Sequence, residues 1–160
     1  MKQFLVDMVQ QMSVTELYEI MFTDTVTGVL NRTAFDKCAP YQVIAIIDLD
    51  SLKYLNDKVD HREGDKFLRY LAQKLAIHFN RDDVYRLSGD EFVVTGSSFE
   101  VLQTALSELQ DLYPIFSFGV HIDLVRADAV LTVDKQQREA SGLRAARGEC
   151  PPWFEKIKLV

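Results

Sequence analysis

The run Val43-Ile44-Ala45-Ile46-Ile47, followed at once by Asp48-Leu49-Asp50, constrains this chain more than any other stretch. An unbroken apolar, mostly β-branched run predicts a strand covered on both faces, so layers must be built on either side of it. That strand, Gln42 to Asp48, is the expected centre of the sheet. Side chains alternate along a strand, which puts Asp48 and Asp50 on one side of its exit and Leu49 on the other. Carboxylates there are costly unless they are paired or bound to a cation. A cap or salt-bridge role and a magnesium role both remain open for the Asp-x-Asp by itself.

Helical and strand-like segments alternate around this centre. Phe4, Leu5, Met8, Val9 and Met12 recur at helical spacing, and Ser13-Val14-Thr15-Glu16 is a capping-box pattern that starts a second helix. Together they form a helical arm over 1–22, which either packs on its own domain or pairs two subunits. Thr23 to Gly28 reads as a turn, Asn31 or Thr33 as the cap of a helix that Pro40 closes, and Leu52 to Asn56 as a short helix. Gly64 opens a longer helix with Phe67, Leu68, Leu71, Ala72 and Leu75 on one face. Val84–Leu87 and Phe92–Thr95 form a hairpin around Ser88-Gly89-Asp90-Glu91. Ser97 or Ser98 caps a helix ended by Pro114, Ile115–Val120 is a strand, and a last helix runs from Ala127 to about Arg138. Residues 140–160 read as an irregular extension, with Ile157–Val160 offered as an edge strand. The expected class is α/β (α+β), a mixed central sheet of about five strands flanked by helices.

A single domain of 160 residues with 48% hydrophobic residues can build such a core. Its 24 acids against 18 bases give a net charge of −6, which disfavours a nucleic-acid or anionic-membrane surface. No apolar run nears the roughly 20 residues that cross a bilayer, Asp7 interrupts any signal-peptide core, and Cys38 and Cys150 lie outside metal or redox spacing. A cytoplasmic protein is expected.

Two acidic clusters, Asp48/Asp50 and Asp90/Glu91, fall on adjacent sheet elements, where they can share hard divalent cations that bridge to phosphates. Lys53, one turn past Asp50, reads as a point charge on phosphate oxygens or as a solvated residue paired to Asp50 or Asp57. Asn56 and Asp65 offer the donors and acceptors of a purine edge, or are turn residues. His61 reads first as a surface or loop-packing histidine. Gly89 permits close backbone approach to a phosphate, or simply serves the turn.

Five segments in order then resemble the successive motifs of GGDEF domains: Asp24-Thr25-Val26-Thr27-Gly28-Val29-Leu30-Asn31-Arg32, Asp48 to Asp57, His61-Arg62-Glu63-Gly64-Asp65, Arg86-Leu87-Ser88-Gly89-Asp90-Glu91-Phe92, and Ser117-Phe118-Gly119-Val120. The resemblance covers about Asp24 to Lys135, within a domain taken as 23–160. It implies a diguanylate cyclase, in which two domains, each holding one GTP, meet as a homodimer and make cyclic di-GMP plus two pyrophosphates. By the same resemblance Asp48, the Leu49 carbonyl and Asp90 would hold Mg²⁺ or Mn²⁺, and Asp90 would help deprotonate the ribose 3′-hydroxyl. Lys53 would stabilise phosphate charge, and Glu91 belongs to the signature. Asn56, His61 and Asp65 would recognise the nucleotide, with Ser88, Gly89, Lys135 and Arg138 near its phosphates.

Departures from the pattern accompany the match. Ser88 stands at the family's first signature glycine, Leu52 replaces a usual Phe, and Glu139 replaces a companion basic residue for which Arg138 is the nearby substitute. The inhibitory product site pattern has Asp82 but Phe79 in place of its arginine, so no such site is expected. An alternative reading is a catalytically degenerate domain that binds GTP or cyclic di-GMP and regulates a protein partner; a nucleotidyl cyclase with another product is a third. The length leaves no room for a sensory domain, so control would come from oligomerisation, expression or a partner.

Overall fold

A computed structural model describes residues 1–38, 42–146 and 149–154. Two helices, α1 (Lys2–Gln11) and α2 (Val14–Phe22), precede a two-residue strand β1 (Leu30–Asn31) and α3 (Arg32–Cys38). There follow β2 (Val43–Leu49), α4 (Leu52–Lys58), α5 (His61–Phe79), the hairpin β3 (Val84–Ser88) and β4 (Glu91–Gly96), α6 (Phe99–Leu112), β5 (Phe116–His121) and α7 (Leu124–Ala140). The sheet order is β1-β3-β4-β2-β5, with β1–β3 parallel and the other pairs antiparallel. The mixed five-strand sheet expected from the sequence is therefore present. Its fifth strand is β1; the edge strand expected at Ile157–Val160 and the helix stop at Pro40 lie outside the described residues.

Every residue of β2 is buried, because the strand is central and both its faces are covered. Val43, Ala45, Ile47 and Leu49 join α4, α5 and α6 in one core, and Ile44 and Ile46 join α3 and α7 in a second. Period-two alternation continues past the apolar run, so Asp48 and Asp50 leave the strand on the α7 side.

Several boundaries shift for local reasons. The long helix starts at His61, not Gly64, because the Asp60 carboxylate accepts from the Arg62 amide at 3.1 Å and caps it. The last helix begins at Leu124, where Asp123 accepts from the Arg126 amide at 2.9 Å. Asn31 is the cap of α3, accepting from the Ala34 amide at 3.0 Å, and Ser98 caps α6. The hairpin is tighter than expected, with Ser88 and Glu91 paired across it.

The arm divides into two parts. Helix α1 has no buried residue, and Phe4 and Leu5 are exposed. Helix α2 is tied to the domain by Arg81, which donates to the Gly28 carbonyl at 2.9 Å and pairs with Glu19 at 3.2 Å, and by Asn31, which donates to the Met21 carbonyl at 2.9 Å. Past α7, two aromatic residues pack back on the domain. Trp153 is buried against Phe67, and Phe154 meets Tyr54 edge-on.

Gly119 sets how near α7 lies to the sheet. A Cβ at this position in β5 would collide with the Ala127 carbonyl and Leu131 amide of α7, so the helix backbone rests directly on the strand. Gly119→Ala is expected to cost at least about 2 kcal/mol, since backbone cannot yield as a side-chain tip can. Chemical denaturation checks this; a midpoint equal to the parent's would show that α7 can move away freely.

Candidate active site

The antiparallel register aligns Asp48 of β2 with Glu91 of β4 and Ser117 of β5. One residue on, the Leu49 amide donates to the Asp90 carbonyl at 2.9 Å, fastening the hairpin tip to the end of β2. Asp48 and Asp90 thus line one cleft of about 320 Å³. Its wall is completed by Leu52, Lys53 and Tyr54 at the start of α4, Lys135 of α7, and Arg144 to Ala146 beyond it. Ser51 enters α4 with φ +66°, turning the chain sharply out of the strand so that Lys53 faces the same opening.

The cleft carries both signs of charge. Lys135 Nζ lies 2.8 Å from Asp48 Oδ2, whereas no ion pair holds Lys53 among the described residues. The pairing of Lys53 with Asp50 or Asp57 is thus not seen, and Lys53 remains exposed at the rim. Burial pushes the Asp48 carboxyl up to about 6; the Lys135 ammonium opposes the rise, and the charges of Asp90 and Asp50 add to it.

This shift has a definite sign in metal-free protein. Between pH about 4 and 6 the folded chain holds the Asp48 proton more tightly than the unfolded chain, so stability from this group falls as pH rises through that window. Relative to Asp48→Asn, which does not titrate, the parent is expected to lose up to about 3 kcal/mol between pH about 4 and 7. Denaturant melts of both proteins in chelator check it, and a pH-independent difference would show that Asp48 titrates normally.

Asp50 has another fate. Fully buried, it accepts from Ser117 Oγ at 2.8 Å, from Arg144 Nε at 2.6 Å and from Arg138 Nη2 at 3.4 Å. Burial raises its pKa, while the guanidiniums of Arg144 and Arg138 oppose that rise. Both aspartates of the Asp-x-Asp are thus salt-bridged, Asp50 inside and Asp48, through Lys135, in the wall of the cleft.

Arg138 is a correction to the sequence reading. Its side chain is 7% exposed and donates to Asp50 and to the Pro114 carbonyl, so it lies under the cleft and outside its wall. Sequence reasoning missed Arg144, which lies beyond the helix in a stretch with no recognisable pattern. Its only signal was a basic residue a few positions past the acid at 139.

Other expected site residues are close but not in the same wall. Asn56 sits one turn beyond Lys53 on α4, and its Oδ1 lies where a Cβ at Gly64 would be, so Gly64 admits that side chain. Asp65 pairs with Arg69 at 3.5 Å, and His61 is exposed at the first position of α5. Ser88 and Gly89 line a different hollow, with Asp24, Asn31, Arg32 and Arg86. Ser88 Oγ donates to Glu91 at 2.8 Å, and Arg86 holds the tip by donating to the Gly89 carbonyl at 2.6 Å while pairing with Asp24 at 3.0 Å. At the expected-absent product site, Phe79 packs against the core and Arg81 is engaged by Gly28 and Glu19.

The carboxylates of Asp48 and Asp90 are hard oxygen donors of the kind that suit magnesium or manganese. Among the described residues no three His, Cys, Asp or Glu side chains converge on one point. Magnesium typically takes one or two carboxylates and completes its shell with water and substrate phosphates, and a desolvated carboxylate such as Asp48 has a charge to neutralise.

The family model described as diguanylate cyclase, GGDEF domain, matches residues 21–113. Diguanylate cyclase DgcP of Escherichia coli is 35% identical over 91 residues, covering 49% of this chain and 27% of that protein. The chain spans about a quarter of the length of such curated relatives. Among solved structures, the coiled coil and GGDEF domain of DgcB from Caulobacter crescentus in complex with c-di-GMP aligns with TM-score 0.63 at 19% identity, covering 92% of this chain and 93% of that one. Diguanylate cyclase SiaD in complex with its activator SiaC, from Pseudomonas aeruginosa, aligns with TM-score 0.61 at 22% identity, covering 85% and 64%.

Proposed function

This chain belongs to the GGDEF domain family, and from that premise we propose that it is a diguanylate cyclase that joins two GTP molecules into cyclic di-GMP. The observation that carries the reading is the single cleft formed by Asp48, Asp90, Lys53 and Lys135. Acids suited to a hard cation and lysines suited to phosphate there face one another, as phosphoryl transfer requires.

In this mechanism the 3′-hydroxyl of one GTP attacks the α-phosphorus of the other, its proton passes to Asp90, and pyrophosphate leaves; repetition closes the ring. Lys53 and Lys135 neutralise phosphate charge. Asp48, Asp90 and the Leu49 carbonyl would hold Mg²⁺ or Mn²⁺, which when bound offsets the charge of the triphosphate. Asn56 and Asp65 recognise guanine, His61 assists on the same helical hairpin, and Glu91 braces the tip through Ser88. Each domain supplies half of the reacting pair, so a homodimer is required, and the exposed apolar side of α1 is its proposed means of pairing. No product-inhibition site is proposed around Asp82. Among the described residues no helix is long and apolar enough to cross a membrane.

A second reading is favoured by the Lys135–Asp48 pair at 2.8 Å, in which a cation already satisfies the carboxylate needed for metal. On that reading the domain binds nucleotide without turnover and acts on a protein partner. Incubation of concentrated protein with GTP and Mg²⁺ or Mn²⁺, followed by chromatography and mass spectrometry, separates the two. Cyclic di-GMP supports the cyclase; saturable GTP binding with no product supports the second reading.

A further inference from the structure

The segment after α7 turns back on the helix. Gly142 has φ +73°, its amide donates to the Glu139 carbonyl at 3.1 Å, and the Leu143 and Arg144 amides both donate to the Arg138 carbonyl, at 2.8 and 3.1 Å. This reversal places Arg144 over the buried Asp50, which takes its Nε at 2.6 Å. The side chain is 19% exposed and forms part of the cleft wall.

The two ends of the guanidinium have unequal partners. Nε is fixed by Asp50, but Nη2 stands 4.0 Å from Asp48 and Nη1 3.6 Å from Glu139, both beyond hydrogen-bond distance. Among the described residues neither Nη makes a hydrogen bond. Arg144 is thus an anchored guanidinium whose two Nη groups, in ion pairs with Asp48 and Glu139 but hydrogen-bonded to neither, belong to the wall of a cleft that already holds Lys53 and Lys135. Planar forked donors of this kind suit phosphate oxygens, and anchoring at Nε removes much of the entropy cost of ordering them.

We propose that Arg144 is a phosphate-binding residue that makes this cleft select a nucleoside triphosphate over a monophosphate, with Glu139 positioning its Nη1. The inference rests on the nucleotide-binding reading above and adds to it a residue from outside the matched region of the chain. It also gives Glu139 a role: an acid near a triphosphate site is tolerable when it orients an arginine between itself and the ligand.

The test is calorimetric titration of the full chain in Mg²⁺ with the α,β-methylene analogue of GTP, whose bridging carbon blocks loss of pyrophosphate, and in parallel with GMP. Arg144→Ala is expected to weaken the triphosphate analogue about 10- to 100-fold and GMP less than about twofold. Arg144→Lys should recover part of the loss, and Glu139→Gln should weaken the analogue only a few-fold. A residue that merely props up the fold through Asp50 would weaken both ligands alike, and that result, or unchanged binding of the analogue, overturns the proposal. If Arg144→Ala fails to fold, the same comparison is made with Arg144→Lys and Arg144→Gln. A parent protein that binds neither ligand overturns the nucleotide reading itself, whereas a parent that binds and a variant that matches it overturns only the role of Arg144.

Discussion

Replacing Asp90 with alanine is expected to abolish cyclic di-GMP formation, lowering turnover by about a thousandfold or more, while the thermal midpoint stays within about 2 °C of the parent's. The two halves of this result have separate causes. Activity falls because Asp90 is assigned both the proton of the attacking hydroxyl and a share of the metal. Stability is retained because its carboxylate makes no hydrogen bond or ion pair among the described residues, and the tip is held instead by its backbone carbonyl and by Arg86. Removing Asp90 also relieves its repulsion of Asp48. Product formation followed by chromatography, alongside a melt, checks both. An unchanged rate would remove Asp90 from the mechanism, and a collapsed melt would make it a structural residue.

A loss of stability is expected at Asp50. Asp50→Ala should destabilise the fold by about 3–5 kcal/mol, lowering the melting temperature by about 6 °C or more, because it strands Arg138, 7% exposed, with an uncompensated charge. Ser117 and Arg144 lose a partner in the same step. Activity should fall as well, through the lost anchor of Arg144. Asp50→Asn, which keeps the shape and one acceptor, should cost less than the alanine variant. Equal melts for parent and alanine variant would show that Arg138 and Arg144 reach solvent once Asp50 is gone, so that no buried charge is stranded.

Asp50 also differs in kind from its neighbour Asp48, which lines the cleft while Asp50 is buried between two arginines. The sequence could place Asp48 and Asp50 on one side of β2, since the alternation that buries Ile44 and Ile46 toward α7 continues to them. It could not say which would be sealed. That depended on Arg138 and Arg144, 88 and 94 residues further on, whose approach requires α7 to lie against Gly119.

Much of the fold was legible. The all-buried β2, the hairpin around Asp90, the capping box at Ser13 and the amphipathic face of α5 each follow from spacing that local backbone geometry imposes. What was misjudged lay at ends: α5 and α7 start earlier because Asp60 and Asp123 cap them, and an aspartate before a polar turn of helix gives a weaker signal than an apolar stripe. The segment after Ser141 gave almost no signal, since the placement of Trp153 and Phe154 comes from distant packing on Phe67 and Tyr54.

The sequence alone determined the layered class, the central strand, the two acidic positions that end in one cleft, and Lys53 one turn beyond Asp50, because these depend on periodicity and on short-range turns. Only the tertiary structure decided that Asp50 is an internal counter-ion, that Arg138 serves it from beneath, and that Arg144 reaches the cleft wall. Those assignments depend on which charges meet after the helices have packed, and no period in the chain encodes a meeting between residues so far apart.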